Sequence, residues 1–200
     1  MDMIDYLLDA FTGPGGPFMW ILTAVLALAV AVLVERCWTL FAAWRWDVPA
    51  VTAALSSGDD ERALRAAGRG PLAEVLRAGL EAPGPEAAWD AMGAAMAEAE
   101  ERVGARVPYL AAIGNVATML GLLGTVYGLI IAFSALGDTG AGERAVRLSE
   151  GISTAMATTA YGLVVGIPSL AAHAWLDARA RRLLAAIEST AGRLASRLRG

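Results

Sequence analysis

The run FMWILTAVLALAVAVLV, from Phe18 to Val34, decides the class of fold because it contains no Asp, Glu, Lys or Arg. It lies within an uncharged stretch from Ala10 to Val34, and two more follow, Val107 to Gly137 and Gly151 to Leu176. Each exceeds the roughly 20 residues that a helix needs to cross the hydrocarbon of a bilayer. A buried soluble helix is the alternative for any one stretch, but such helices rarely lack charge over this length. The sequence therefore predicts an all-α integral membrane protein with three transmembrane helices.

The composition excludes several classes of function. Of 200 residues, 56% are hydrophobic and 18% are charged, which is unusually apolar for a soluble domain. All sixteen basic residues are arginine and twenty residues are acidic, so the net charge of -4 does not provide the basic surface that nucleic-acid binding requires. One cysteine, Cys37, and one histidine, His173, exclude an intrachain disulfide and a histidine-rich metal site. We expect no nucleic-acid partner, no metal and no cofactor.

The arginines predict the orientation in the membrane. Eight lie between the first and second spans, six follow the third, and two lie between the second and third. Arginine-rich short segments stay in the cytoplasm, so the N-terminus is expected outside and the C-terminus inside. The predicted segments are an external amphipathic segment (1–17), the first transmembrane helix (18–44), a cytoplasmic helical domain (45–107), the second transmembrane helix (108–136), an external loop (137–150), the third transmembrane helix (151–176) and a cytoplasmic C-terminal helix (177–200).

The segment between the first two spans is rich in Ala, Glu and Arg and is divided by helix breakers. We expect three short helices and a long one, from about Glu86 to Pro108. The long helix should continue into the second span and extend into the cytoplasm, with Pro108 either kinking it or marking where it restarts. The tail after the third span has an apolar stripe at helical spacing and predicts an amphipathic helix. The breakers are Pro49, Ser57-Gly58, Gly68 to Pro71 and Ala82 to Pro85.

The second and third spans each carry one face of small and hydroxylated residues. Small residues allow two helix backbones to approach, and threonine can bond to its own helix, so close packing is one interpretation. The other is that the hydroxyls line a hydrated or partner-filled pore, and both can hold on different edges of one stripe. Neither span has a group that titrates near neutral pH, so a proton relay needs an acid from a partner. The faces are Thr118, Gly121, Thr125, Gly128 and Ala132 in the second span, and Gly151, Thr154, Thr158 and Gly162 in the third, with Thr159, Gly166 and Ser169 on the adjoining face.

Two blocks, in this order, resemble the MotA/TolQ/ExbB proton channel family on its ExbB/TolQ side. The first is GLLGTVYG, from Gly121 to Gly128, and the second is GISTAMATTAYGL, from Gly151 to Leu163, followed by Ile167-Pro168. Glu35-Arg36, at the end of the first span, resembles the acidic-basic pair found there in that family. The three-span layout with an external N-terminus agrees, so the resemblance covers nearly the whole chain.

The resemblance implies a subunit of an inner-membrane stator. Five such subunits would form a ring around the single transmembrane helices of two ExbD/TolR-like partner chains, each of which brings an aspartate. Proton flow down the proton-motive force would be coupled to movement of the partner helices, and so to work on envelope proteins through a TonB-like or other effector. By position, Thr125 and Thr159 match the family threonines that face the partner's aspartate.

Two positions depart from the family pattern. Thr154 stands where ExbB and TolQ members usually have a glutamate, and Thr118 stands where many have a proline. The first departure removes the ring's own carboxylate and leaves the choice between protons and sodium open. The remaining candidate residues are Thr118, Thr154 and Thr158 for pore lining, Gly121, Gly124, Gly128, Gly162 and Pro168 for helix packing, and Glu35 and Arg36 at the membrane interface.

The function expected from these features is that of a membrane motor subunit and not of an enzyme. An intramembrane enzyme needs a catalytic dyad or a metal cluster, and the three spans contain neither. The alternative is a scaffold that assembles by small-residue packing and conducts nothing. The sequence leaves the powered process open among TonB-like uptake, Tol-type envelope constriction, and gliding or secretion.

Overall fold

A computed structural model describes residues 3–44, 46–138 and 140–199, and in these ranges the chain is helical and contains no strand. Residues 1, 2, 45, 139 and 200, which include Arg45 of the arginine count, lie outside the described residues. A π-helical segment, Trp38–Ala43, directly follows α2. The α-helices are α1 (Met3–Ala10), α2 (Gly16–Cys37), α3 (Val48–Ser57), α4 (Asp60–Ala67), α5 (Pro71–Glu81), α6 (Pro85–Gly104), α7 (Val107–Asp138) and α8 (Ala141–Arg199).

Among the described residues, three segments contain a helix that is long and apolar enough to cross a membrane: Gly16–Ser57 with α2, Pro85–Ser134 with α7 and Gly142–Arg199 with α8. They contain most of the three uncharged stretches of the sequence. The prediction of an all-α membrane protein with three spanning helices is therefore confirmed.

The helices α3 to α6 begin and end at the breakers of the sequence. Asp47 and Asp59 cap α3 and α4, because each side chain accepts a hydrogen bond from the backbone N–H three residues on, at 3.1 and 2.9 Å. Gly58 ends α3 with a φ of 78°, a left-handed conformation that glycine adopts without steric cost. Pro71 and Pro85 are the first residues of α5 and α6, where the missing N–H has no helical partner to lose.

The sequence predicted that the long helix of this region continues into the second span, but in the structure it does not. Helix α6 ends at Gly104, Ala105 is extended, and Arg106 has a φ of 61°. Helix α7 begins at Val107, so Pro108 is its second residue. A proline fits the first turn of a helix but would remove a hydrogen bond from its interior. Of the two outcomes predicted for Pro108, the structure shows the restart.

The third apolar stretch belongs to a single helix of 59 residues, α8. It begins at Ala141, so most of the segment predicted as an external loop (137–150) is helical. The start of α8 suits a helix because no proline precedes Pro168 in it. Glu143 and Arg147 also form an i,i+4 ion pair at 3.2 Å that favours a helix. Pro168 lies within α8 without ending it, and the Ser169 hydroxyl next to it donates to the Val165 carbonyl oxygen at 2.7 Å.

The chain divides into two compact units. The apolar unit comprises Met1–Leu33 and Tyr109–His173, and its buried residues include Leu22, Ala117 and Val165. The polar unit comprises Val34–Pro108 and Ala174–Gly200, and its core joins α3 to α6 with the last part of α8. The fully buried large side chains of that core include Leu72, Val75, Leu76, Ile187 and Leu194.

Candidate functional site

The apolar unit is built on a close contact between α7 and α8, here called the glycine seam and made by Gly121, Gly128, Gly151 and Gly162. A Cβ placed on Gly128 would lie 2.5 Å from the Gly151 carbonyl oxygen. A Cβ placed on Gly162 would lie 2.9 Å from the Cα of Gly121. Real Cβ atoms essentially never come under 3.0 Å of another heavy atom. Glycine at these positions therefore allows the two backbones to touch.

Gly124 and Pro168, which the sequence also assigned to helix packing, differ in their contacts. Gly124 lies against the side chain of Thr158, so it belongs to the contact between α7 and α8. Pro168 is exposed in this subunit. Gly166 makes the contact instead, because a Cβ there would lie 2.6 Å from the Thr118 hydroxyl oxygen. Two residues correspond to about 200° of rotation on a helix, so Pro168 faces away from the seam.

The five candidate threonines fall into two groups on opposite sides of the seam. Thr118 is exposed, and Thr125 and Thr159 are half-buried. Thr154 and Thr158 are buried, with 6% and 0% of their surfaces exposed. The hydroxylated faces predicted for the second and third spans therefore form an accessible edge, made by Thr118, Thr125 and Thr159, and a buried edge, made by Thr154 and Thr158.

The accessible edge presents hydroxyl oxygens on an otherwise apolar surface. Thr118 and Thr125 lie two turns apart on α7, and each donates to a carbonyl oxygen of its own helix, at 3.0 and 2.6 Å. Thr159 donates across the seam to the Gly121 carbonyl oxygen, at a longer 3.4 Å. The exposed side chains beside them, such as Met119 and Leu122, are apolar. The lone pairs of each hydroxyl remain available as acceptors.

The buried edge is largely covered within the apolar unit. The Thr158 hydroxyl donates to the carbonyl oxygens of Thr154 and Ala155, at 2.9 and 3.1 Å. Gly15, in the turn between α1 and α2, covers both side chains, because a Cβ on it would lie 2.9 Å from the Thr154 methyl carbon. Both threonines border a cavity of about 350 Å³ within the unit. Thr154 and Thr158, predicted as pore-lining candidates, are thus covered within this chain.

Two polar contacts that the sequence did not reveal hold α1 and α2 against α8. The Tyr6 hydroxyl donates to the Ser153 carbonyl oxygen at 2.6 Å and accepts from the Ser153 hydroxyl at 3.0 Å. The Thr23 and Tyr161 hydroxyls lie 2.9 Å apart. The hydroxyl groups themselves could have indicated these contacts, because a polar side chain in an apolar stretch needs a hydrogen-bonding partner.

Glu35 and Arg36 form a cluster at the end of α2, within the polar unit. Arg36 is 6% exposed and donates to the Glu35 carboxylate at 3.1 Å and to the Arg102 carbonyl oxygen at 3.5 Å. Glu35 also pairs with Arg106, the residue of positive φ between α6 and α7. The acidic-basic pair therefore contacts the α6–α7 connection, and the sequence did not indicate this role for Arg106.

The chemistry that the accessible edge supports is hydrogen bonding. Threonine hydroxyls accept a proton donor or orient water, and they do not ionise usefully. Among the residues that the structure describes, no three His, Cys, Asp or Glu side chains are grouped so that they could hold a metal ion. The described residues that form the accessible edge include no acidic side chain.

Comparison with known proteins agrees with the sequence blocks and the fold. Residues 67–189 match the MotA/TolQ/ExbB proton channel family. The chain is 36% identical to biopolymer transport protein exbB1 of Vibrio cholerae over 50% of this chain and 44% of that protein. It is 31% identical to the Tol-Pal system protein TolQ of Pseudomonas aeruginosa over 63% of this chain and 62% of that protein. The matched segments thus span less than two thirds of either relative.

A solved structure shares the fold. The C. jejuni MotAB structure superposes with a TM-score of 0.52 at 17% identity, covering 96% of this chain and 73% of the matched chain. At this identity the similarity concerns the fold alone. The extended coverage shows that the helical arrangement continues beyond the segment matched by sequence.

Proposed function

Because the chain belongs to the MotA/TolQ/ExbB proton channel family, we propose that it is the ring-forming subunit of a proton-driven motor in the bacterial inner membrane. Five copies surround the single transmembrane helices of two ExbD/TolR-like partner chains. The accessible edge is the observation that carries this proposal, because Thr125 and Thr159 present hydroxyl oxygens on an apolar surface of the apolar unit.

The hydrogen bonds of the accessible edge suit a partner carboxyl group that gains and loses a proton. When the carboxyl group is protonated, it donates to a threonine lone pair, and the threonine keeps its bond to a carbonyl oxygen. When it is ionised, a threonine hydroxyl rotates and donates to it. Thr159 is best suited to rotate, because its bond to Gly121 is 3.4 Å long whereas that of Thr125 is 2.6 Å.

The work performed by the motor is proposed from the relatives. Two of them are named for biopolymer transport and for the Tol-Pal system. We therefore place the effector in the cell envelope, as a TonB-like protein or a Tol-type component. Movement of the partner helices within the ring couples proton flow to that effector.

Proton uptake by liposomes tests the motor against the non-conducting scaffold, which the close glycine seam would also suit. The chain is reconstituted with its co-expressed single-span partner, and the internal pH is followed by a trapped dye after a potential is applied. We expect uptake with both proteins and none with the chain alone, because the chain supplies no acid on the accessible edge. Absence of uptake from a correctly assembled complex would favour the scaffold.

Cysteine labelling in intact cells tests the proposed orientation. Cys37 is replaced by Ser, and a cysteine is placed at the exposed position Ser57 or Glu143. With the N-terminus outside, a membrane-impermeant maleimide should label the Glu143→Cys variant and not the Ser57→Cys variant until the cells are lysed. The reverse pattern would invert the topology, and labelling of both before lysis would indicate that the reagent had entered.

A further inference from the structure

The polar unit contains a small pocket, here called the arginine pocket, between the π-helical segment and α8. Its volume is about 260 Å³. Its walls include the aromatic side chains of Phe41, Trp44 and Trp46 and the guanidinium groups of Arg179 and Arg182. None of its described lining residues is acidic. The pocket therefore combines two cations with aromatic walls.

Arg179 is held in place but lacks an acceptor. Its guanidinium carbon lies 5.1 Å from the centroid of the Phe41 ring, and that ring is stacked on Trp175 with a centroid distance of 4.7 Å. Its Nε is buried and has no hydrogen-bond partner among the described residues. A buried N–H without an acceptor is costly, and the cation–π contact fixes the direction of the guanidinium group without supplying one.

Arg182 adds a second positive charge that is not neutralised. Its Nε donates to the Ala178 carbonyl oxygen at 3.1 Å. Neither Arg179 nor Arg182 forms an ion pair among the described residues, whereas Arg181, between them in sequence, pairs with Asp177 at 2.8 Å. Apart from the Arg182 Nε, the guanidinium N–H groups of Arg179 and Arg182 have no acceptor among the described residues. These donors suit a phosphate group, which arginine binds through two parallel hydrogen bonds.

The position of the arginine pocket in the sequence indicates where the phosphate comes from. Phe41 and Trp44 lie at the end of the predicted first span (18–44), and Trp175 and Arg179 lie on either side of the end of the third uncharged stretch, at Leu176. The arginine distribution assigns these ends to the cytoplasmic side. Aromatic residues concentrate at the level of lipid headgroups, and basic pockets on the cytoplasmic side of membrane helices bind anionic headgroups.

We propose that the arginine pocket binds the phosphate of an anionic phospholipid of the cytoplasmic leaflet, with Arg179 and Arg182 as the ligands. The bound lipid would supply the acceptor that the Arg179 Nε lacks. It would also anchor the start of the cytoplasmic part of α8 at the membrane surface. This site is separate from the accessible edge, and it does not depend on the partner chains.

Native mass spectrometry of the full chain in detergent tests this site. Phosphatidylglycerol and phosphatidylcholine with identical acyl chains are added at equal concentration to the wild type and to the Arg179→Gln, Arg182→Gln and Arg181→Gln variants. We expect the wild type and Arg181→Gln to retain phosphatidylglycerol about tenfold better than phosphatidylcholine, which corresponds to about 1.4 kcal/mol. Both pocket variants should lose most of this preference. Arg182 is exposed, so its variant remains informative if Arg179→Gln fails to fold.

A titration with inorganic phosphate separates a lipid site from a site for the free anion. Isothermal titration calorimetry of the wild type with sodium phosphate should show no binding in the millimolar range, because the acyl chains contribute to lipid affinity. Phosphate binding abolished by Arg179→Gln, without a phosphatidylglycerol preference, would assign the pocket to a soluble anion and overturn the lipid proposal. Equal phosphatidylglycerol retention by the wild type and both pocket variants would also overturn it.

Discussion

Replacing Thr125 and Thr159 together by valine is expected to reduce proton flux through the assembled complex by about tenfold or more. Valine has nearly the shape of threonine but no oxygen, so a partner carboxyl group loses its hydrogen-bonding partners on the accessible edge. A hydrogen bond to a charged group contributes about 1.5 to 3 kcal/mol, and about 1.4 kcal/mol corresponds to a tenfold change in rate. The measurement is the initial rate of proton uptake by liposomes that contain the chain and its partner.

Two further valine exchanges serve as controls for this result. Thr158→Val removes a buried hydroxyl that bonds to carbonyl oxygens of its own helix, and Thr52→Val removes a hydroxyl in α3 of the polar unit that donates to the Val48 carbonyl oxygen. Both variants should assemble and conduct nearly as the wild type does. Normal flux in the Thr125/Thr159 double variant would contradict the site, as would a loss of flux in Thr158→Val that leaves the double variant active.

Replacing Gly128 by alanine is expected to destabilise the folded subunit by about 1 to 3 kcal/mol, the usual range for overpacking. The added Cβ would lie 2.5 Å from the Gly151 carbonyl oxygen and 2.6 Å from the Ala155 amide nitrogen. These are backbone atoms and cannot move aside as a flexible side chain would, so α7 and α8 have to separate. The midpoint of thermal unfolding in detergent, followed by circular dichroism, measures the effect.

Gly93→Ala is the matched control, because Gly93 also lies inside a helix but nothing lies within 4 Å of its Cβ position. Alanine is favoured over glycine in a helix by about 1 kcal/mol, so this variant should unfold at a higher temperature than the wild type. Exchange of glycine for alanine is thus expected to lower the unfolding temperature at Gly128 and to raise it at Gly93. Equal stabilisation of both variants would show that α7 and α8 do not touch at the glycine seam.

Much of the fold could be predicted because it depends on local features of the chain. The uncharged stretches indicated the three spans, and prolines and glycines such as Gly58, Pro71 and Pro85 marked the helices between the first two. The end of α6 was missed because Arg106, with its positive φ, carries no glycine-like signal. The helical structure of residues 141–150 could not be predicted, because polar residues such as Glu143 and Arg147 are compatible with a helix as well as with a loop.

The candidate site was only partly predictable, because burial depends on contacts between distant segments. Helical spacing placed Thr154 and Thr158 on one face, but only the fold shows that the turn at Gly15 covers them. The sequence allowed close packing on one edge of a stripe and accessible hydroxyls on the other. In α7, Gly121 and Gly128 pack against α8, whereas Thr118 and Thr125 lie on the accessible edge. The contact of Glu35 with Arg106 joins residues 71 positions apart, which no local pattern indicates.

The subunit ratio of the purified complex, measured by native mass spectrometry, is the decisive experiment. The chain is co-expressed with the product of the adjacent gene and extracted in detergent, and the partner is sequenced. We predict five copies of this chain with two copies of a single-span protein whose transmembrane helix contains an aspartate. A stable assembly without an acidic membrane partner would leave the accessible edge with no proton carrier, and it would contradict the motor in favour of a scaffold.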